Sequence, residues 1–201
     1  IGSDTGLIQK KIGYLPENCP VWPEMTVIDY LEYQALLHKL NTSSIPKLIS
    51  QAINKTALQE KATASIQTLS RGYRQRVGVA QALLHMPDII ILDEPTNGLD
   101  PTQIHHMRDL IKELAETSTI IVSTHVLQEV QAVCERVLIM RSGKLVTDSK
   151  ISHLQASSRL LLTIENTNIN VVDELKKINS VGNVEKKLDD NLIQVFQIET
   201  S

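Results

Sequence analysis

Ile89-Ile90-Ile91-Leu92-Asp93-Glu94-Pro95-Thr96-Asn97-Gly98-Leu99-Asp100 is the stretch that decides the fold. Four apolar residues closed by two carboxylates predict a buried strand that delivers acids to the edge of a sheet. Downstream, strand and helix patterns alternate: a helix over 103–116, a β-branched strand over 119–123, a short helix over 127–134 and a strand over 137–140. Upstream, residues 11–15 read as a short strand that the prolines at 16 and 20 end. Strands alternating with helices predict a mainly parallel sheet covered by helices.

A helical block interrupts this sheet, as an inserted subdomain does. Thr26 is a candidate N-cap for a helix over 27–37, residues 41–46 read as a polar linker, and 48–58 reads as a second helix. Residues 63–69 read as irregular and 72–85 as a helix with a wide apolar face. After about residue 148 the pattern becomes a βαββ unit, with strands over 159–165, 184–188 and 192–197, a helix over 171–178, and a turn at Asp189-Asp190-Asn191.

Bulk composition narrows the classes. The chain has 201 residues, 42% of them hydrophobic, and a formal net charge of −3 with scattered basic residues. That composition is globular and does not point to nucleic acid as a partner. No apolar stretch is long enough to cross a bilayer, and no signal peptide opens the sequence. Cys19 and Cys134 form no metal or redox spacing, which fits a reducing compartment.

Five short motifs carry chemistry. They are Gly13-Tyr14-Leu15-Pro16-Glu17, Leu69-Ser70-Arg71-Gly72-Tyr73, Ile90–Glu94, Asn97-Gly98-Leu99-Asp100 and Ser123-Thr124-His125. In this order and spacing, residues 12–148 resemble an ATP-binding cassette (ABC) ATPase from its Q-loop onward. The motifs correspond to the Q-loop, signature, Walker B, D-loop and switch histidine. The signature departs from LSGGQ at Arg71 and Tyr73, and with Arg74-Gln75-Arg76 it is similar to an exporter-type branch that includes gliding-motility and sodium-export ATPases.

The resemblance implies an α/β P-loop NTPase core over 1–148, with a helical subdomain at about 20–75 and a small α+β appendage over 149–201. It implies ATP and Mg²⁺ as ligands, with Asp93 on the metal and Glu94 polarising the attacking water. His125 would reach the γ-phosphate. Ser70, Arg71 and Gly72 would meet ATP held mainly by a second subunit, Asp100 would act across that dimer, and Glu17, where most relatives carry glutamine, would contact metal or water. The residue-level alternatives are plainer: Ser70 and Asp100 as helix caps, His125 as a surface residue, Glu17 as a loop acid. Trp22, Met25, Tyr30 and Tyr33 are expected either to dock a membrane subunit or to fill the insert's own core.

One companion motif is not in these residues. No GxxxxGK[ST] phosphate loop occurs, and the only Gly-Lys pair, Gly143-Lys144, is followed by Leu145, with Leu138 where the first glycine should stand. With Ile1 at the first position, the expectation is a processed, trimmed or incomplete chain whose phosphate loop precedes it. The polypeptide alone is expected to bind ATP poorly, hydrolyse it little and leave apolar surface uncovered.

The leading reading is therefore the ATPase subunit of an ABC transporter. Its expected place is the cytoplasmic face of the membrane, paired with a like or unlike ATPase subunit and with permease subunits, and without nucleic acid. Two other readings stand beside it. One is a non-catalytic relative that lends Ser70 and Gly72 to an intact partner. The other is a soluble non-transport ABC protein, although DNA-repair relatives carry a long coiled coil where only residues 18–69 intervene here, and translation-type relatives carry two cassettes.

Overall fold

The computed structural model describes residues 5–155, 159–165, 170–178, 181–189 and 193–200. They form two compact units, Ile1–Val133 and Cys134–Ser201. The division falls before the 136–150 hairpin, whereas the sequence expectation placed the boundary after it.

In the first unit, α1 (Thr5–Gln9) leads into β1 (Ile12–Leu15). The insert follows with α2 (Val27–Leu37), α3 (Ile45–Lys55) and two short 3-10 turns, Gln59–Lys61 and Ile66–Thr68. Then come α4 (Arg71–Leu83), β2 (Ile89–Asp93), α5 (Pro101–Ala115), β3 (Thr119–Ser123) and α6 (Leu127–Val133). The strands make a parallel sheet in the order β1-β2-β3, with Leu15 beside Leu92 and Leu92 beside Val122.

Alternation along these strands fixes two faces. Leu15, Ile90 and Leu92 point into a core completed by Val79, Met107, Leu110, Ile111 and Leu114 from α4 and α5. The opposite face carries Tyr14, Ile91 and Ile121 in one register row. Tyr14 is 48% exposed and Ile121 50%, so an apolar row of the expected kind lies open on this face.

The insert has its own core of Val27, Tyr30, Leu31, Ile49, Ile53, Leu58, Ile66 and others. Thr26 caps α2 as the sequence predicts, its hydroxyl accepting from the Asp29 N–H at 3.2 Å. Thr26 also bridges to Ser65, and Ile66 N donates to Met25 O at 3.0 Å, which closes the insert at its base. One expectation needs correction. The linker over 41–46 is shorter than predicted, because α3 starts at Ile45 with Pro46 in its first turn. Proline there gives up only an N–H that has no helical partner. Of the two roles expected for Tyr30, the structure gives the second: it fills the insert's core, fully buried, with its hydroxyl donating to Gln81 Oε1.

α4 is shared between the two cores: Val77, Ala80 and Leu84 face the insert and Val79 faces the sheet. Its Gly78 leaves room for Leu15 and Cys19. Burial pushes the Cys19 thiol up to about 11, so it stays protonated and unreactive. Beyond α4, His85 stacks on His38 with centroids 4.4 Å apart, and its Nε2 donates to Ile12 O at 3.0 Å. Burial holds both imidazoles below their usual pKa.

The second unit opens with an antiparallel hairpin, β4 (Arg136–Arg141) and β5 (Lys144–Lys150). Ser142 and Gly143 both have positive φ, the requirement of a two-residue turn of this hand. After α7 (Ile151–Gln155) come β6 (Arg159–Glu165), α8 (Val171–Lys176), β7 (Val181–Asp189) and β8 (Ile193–Thr200). The sheet order is β6-β8-β7, antiparallel throughout. Phe196, Ile198 and Val184 pack with Val171, Val172 and Leu175 of α8. Asp190 and Asn191 of the expected turn lie outside the described residues.

Candidate functional site at the carboxyl ends of the parallel strands

Parallel strands ending in register bring their last residues together. Asp93 closes β2 and pairs with Ser123, which closes β3. The Ser123 hydroxyl donates to Asp93 Oδ1. Glu94 then turns out of the strand with φ +46°, a left-handed conformation that costs a non-glycine residue roughly 1–3 kcal/mol. Its N–H still donates to Ser123 O at 3.0 Å. The kink sends the two neighbouring acids in different directions.

Glu94 Oε1 accepts twice from His125, from the backbone N–H at 3.1 Å and from ring Nδ1 at 2.7 Å. A carboxylate only accepts, so the ring carries its proton on Nδ1. This bond, reinforced by the charges of Glu94 and Glu17, raises the His125 pKa above its usual value. The His125 side chain is 75% exposed, while Glu94 is mostly covered. Glu17 joins from the loop after β1, its Oε1 accepting from Asn97 Nδ2 at 3.1 Å.

Asp93, Glu94, Glu17 and His125 therefore gather at one sheet edge, where open α/β sheets bind ligands. Among the described residues no group of three or more His, Cys, Asp or Glu side chains could cage a metal ion. Two carboxylate-bearing loops without a cage fit Mg²⁺, which takes one or two protein carboxylates and completes its shell with water and phosphate oxygens.

The signature-like residues form a second cluster. Ser70 caps α4 and accepts from the Tyr73 N–H at a long 3.4 Å. Asp100 caps α5, its Oδ1 accepting from the Gln103 N–H at 2.9 Å. A Cβ on Gly72 would stand 2.3 Å from Gln103 Oε1, so α4 and α5 meet at their first turns. The Arg71 guanidinium lies over Gly98, where φ is +69°. Ser70 and Asp100 thus act as caps within this chain, and Arg71 rests on the loop after β2.

On the insert, Trp22 and Tyr33 pack with ring centroids 4.6 Å apart, and Trp22 is 47% exposed. Sequence reading missed three contacts: Ser123 on Asp93, Asn97 on Glu17, and Arg108 on Glu129. The first two lie inside motifs already singled out, so their position was readable although their partners were not. The third carries no motif signal.

A parallel sheet with paired acids and a facing histidine at its carboxyl edge, and a helical insert between its strands, has the α/β architecture of the P-loop NTPase class. Comparison with known proteins narrows this. A family model described as ABC transporter matches residues 3–97. An uncharacterized ABC transporter ATP-binding protein of Methanocaldococcus jannaschii is 38% identical over 73% of this chain and 56% of its own length. The linearmycin resistance ATP-binding protein LnrL of Bacillus subtilis is 28% identical over 100% of this chain and 68% of its own length. The solved structure of cbiO1 from Clostridium perfringens, part of the ABC transporter complex cbiONQ, superposes with a TM-score of 0.67 at 28% identity, over 74% of this chain and 60% of that one.

The chain belongs to the ABC transporter ATP-binding protein family. It spans 56%, 68% and 43% of the first three relatives matched.

Proposed function

We propose that this chain serves as the ATP-binding and hydrolysing subunit of an ABC transporter, with ATP and Mg²⁺ as ligands. The observation that carries the reading is the pair of hydrogen bonds from His125 to Glu94 Oε1 beside Asp93. In this reading Asp93 and Glu17 hold the metal with intervening water. Glu94 is the general base, its Oε2 facing the attacking water while Oε1 is engaged by His125. Mg²⁺ supplies neutralisation of phosphate charge when bound. His125, charged over a wider pH range than a free imidazole, favours the γ-phosphate and senses its loss.

Ser70, Arg71 and Gly72 offer a hydroxyl, a guanidinium and a helix N-terminus to ATP held mainly by a second ATPase subunit, of the same or another chain. Asp100 lies on the same face through Gln103. In this reading the exposed Trp22–Tyr33 pair belongs to the surface that meets permease subunits, and the assembly works at the cytoplasmic face of a membrane. Family membership among transporter-named relatives supports this over a non-transport ABC protein.

The test is ATP turnover by the polypeptide with Mg²⁺, alongside Mn²⁺ binding by paramagnetic broadening. The polypeptide contains no GxxxxGK[ST], so turnover is expected to be low, absent in Glu94→Gln, and accompanied by Mn²⁺ broadening at Ser123 that Asp93→Asn removes. Robust turnover that survives Glu94→Gln refutes the assignment of the base.

A further inference from the structure

His125 sits on the segment that joins β3 to α6. α6 has seven residues, too few to be stable by itself. Val133 at its far end packs on the sheet core, and its one fully buried residue is Glu129, 6% exposed and nearer to His125. Both carboxylate oxygens are taken by Arg108 of α5: Nε donates to Oε2 at 3.0 Å and Nη2 to Oε1 at 2.5 Å. α5 itself is anchored by Met107, Leu110, Ile111 and Leu114 in the sheet core. A fork on a carboxylate fixes distance and angle together, which a greasy contact does not.

We infer that Arg108 and Glu129 form a clamp that positions His125 on Glu94. Glu129 lies four residues beyond His125, in the first turn of α6. Between them the Glu129 N–H donates to Val126 O at 3.0 Å, and the Val126 N–H donates to Thr124 Oγ1 at 3.2 Å. The segment from Thr124 to Glu129 is thus internally bonded, so fixing Glu129 fixes the backbone that presents the imidazole. Glu129 is the buried partner and Arg108 the part-exposed one, and a buried carboxylate is seldom the most stable way to seat a helix, so its presence here is explained by orientation. Glu129 and Arg108 are positioning residues. Their role deepens the proposed function, since Glu94 keeps its engaged oxygen only while His125 is held.

The experiment reads the imidazole, not hydrolysis, so it stands apart from the ATPase reading. ¹⁵N spectra of the full chain are expected to show His125 as the Nδ1–H form, with its backbone amide protected by Glu94. In the double variant Arg108→Met with Glu129→Leu, apolar side chains replace the pair and keep the helix packed. The ring should revert to the ordinary Nε2–H form and the His125 amide should exchange at least about tenfold faster. The charge-swapped variant, Arg108→Glu with Glu129→Arg, should restore the Nδ1–H form, and it decides the matter if the apolar variant does not fold. An unchanged ring form and amide exchange in the folded apolar variant, or a folded swap without the Nδ1–H form, overturns the clamp. Robust turnover that survives Glu94→Gln with these ring signals intact counts only against the proposed function.

Discussion

Two glycines meet equal steric overlap and should respond in opposite ways to alanine. A Cβ on Gly13 of β1 would lie 2.3 Å from Ala82 O, 3.0 Å from Pro87 Cγ and 3.2 Å from Ala82 C. A comfortable carbon–oxygen contact is about 3.3 Å, so β1 and the end of α4 must part by about 1 Å. Backbone stands on both sides and neither can rotate away. Overpacking of this kind costs roughly 1–3 kcal/mol, here at the upper end. Replacing a strand glycine returns about 0.5–1 kcal/mol of backbone entropy, which leaves a net loss of about 2 kcal/mol. The folded-to-unfolded ratio should then fall about 30-fold. At Gly72 the clash, also 2.3 Å, is with Gln103 Oε1, the far end of a flexible side chain. Gln103 can rotate out, and alanine in a helix regains about 0.5–1 kcal/mol, so Gly72→Ala should be neutral or slightly stabilising. Trp22 is the only tryptophan and lies in the first unit, so its fluorescence reports that unit's urea transition. Midpoints compared at equal m-value give the free energies. Equal midpoints for the two variants, or a lower one for Gly72→Ala, refute the packing argument.

The histidines should give stability two opposing pH dependences. The His125 pKa is raised by Glu94, so its contribution is complete below the unfolded value near 6.5 and is lost as pH rises through the folded value. The His38 and His85 values are lowered by burial, so their contribution holds above about 6.5 and is lost as pH falls below it. Glu94→Gln removes only the first, and its denaturation midpoint should drop below the parent's on the acid side and converge with it on the alkaline side. A constant offset at every pH contradicts this. Asp100→Ala, which deletes a 2.9 Å cap bond with Pro101 following it, should cost about 1 kcal/mol. Ser70→Ala, with its bond at 3.4 Å, should cost less, although both should weaken pairing with a second subunit by sedimentation. A larger stability loss for Ser70→Ala argues against the ranking by bond length.

What the sequence showed and what it hid divide along a physical line. Thr26 and β2 were readable because capping and burial act over neighbouring residues, and those residues carry the pattern. The polar run 41–46 hides the start of α3, which begins at Ile45, because a proline in the first turn forfeits no helical bond. Tyr30 and Tyr33 look alike as letters, but Tyr30 turns inward to Gln81 and Tyr33 packs beside Trp22. The bond from His125 to Glu94 spans 31 residues, and only the parallel register of β2 on β3 brings the two strand ends level.

That register also explains why the site is assembled from loop residues and yet needs the core. Asp93 pairs with Ser123 in the register that sets Ile90 and Leu92 beside Ile120 and Val122 against the core. A one-residue slip would turn Asp93 toward Met107 and Ile111 and carry Glu94 away from His125. The sheet core therefore sets which two strand ends meet, the kink at Glu94 separates the acids, and α6 adds the histidine. Arg108 and Glu129 supply what the core cannot, because the apolar contact α6 makes with it, through Val133, lies at the helix end away from His125. The two residues stand 21 apart in sequence, so no periodicity could reveal the pair, and loss of Arg108 would leave the buried Glu129 carboxylate without its partner rather than merely loosen a loop.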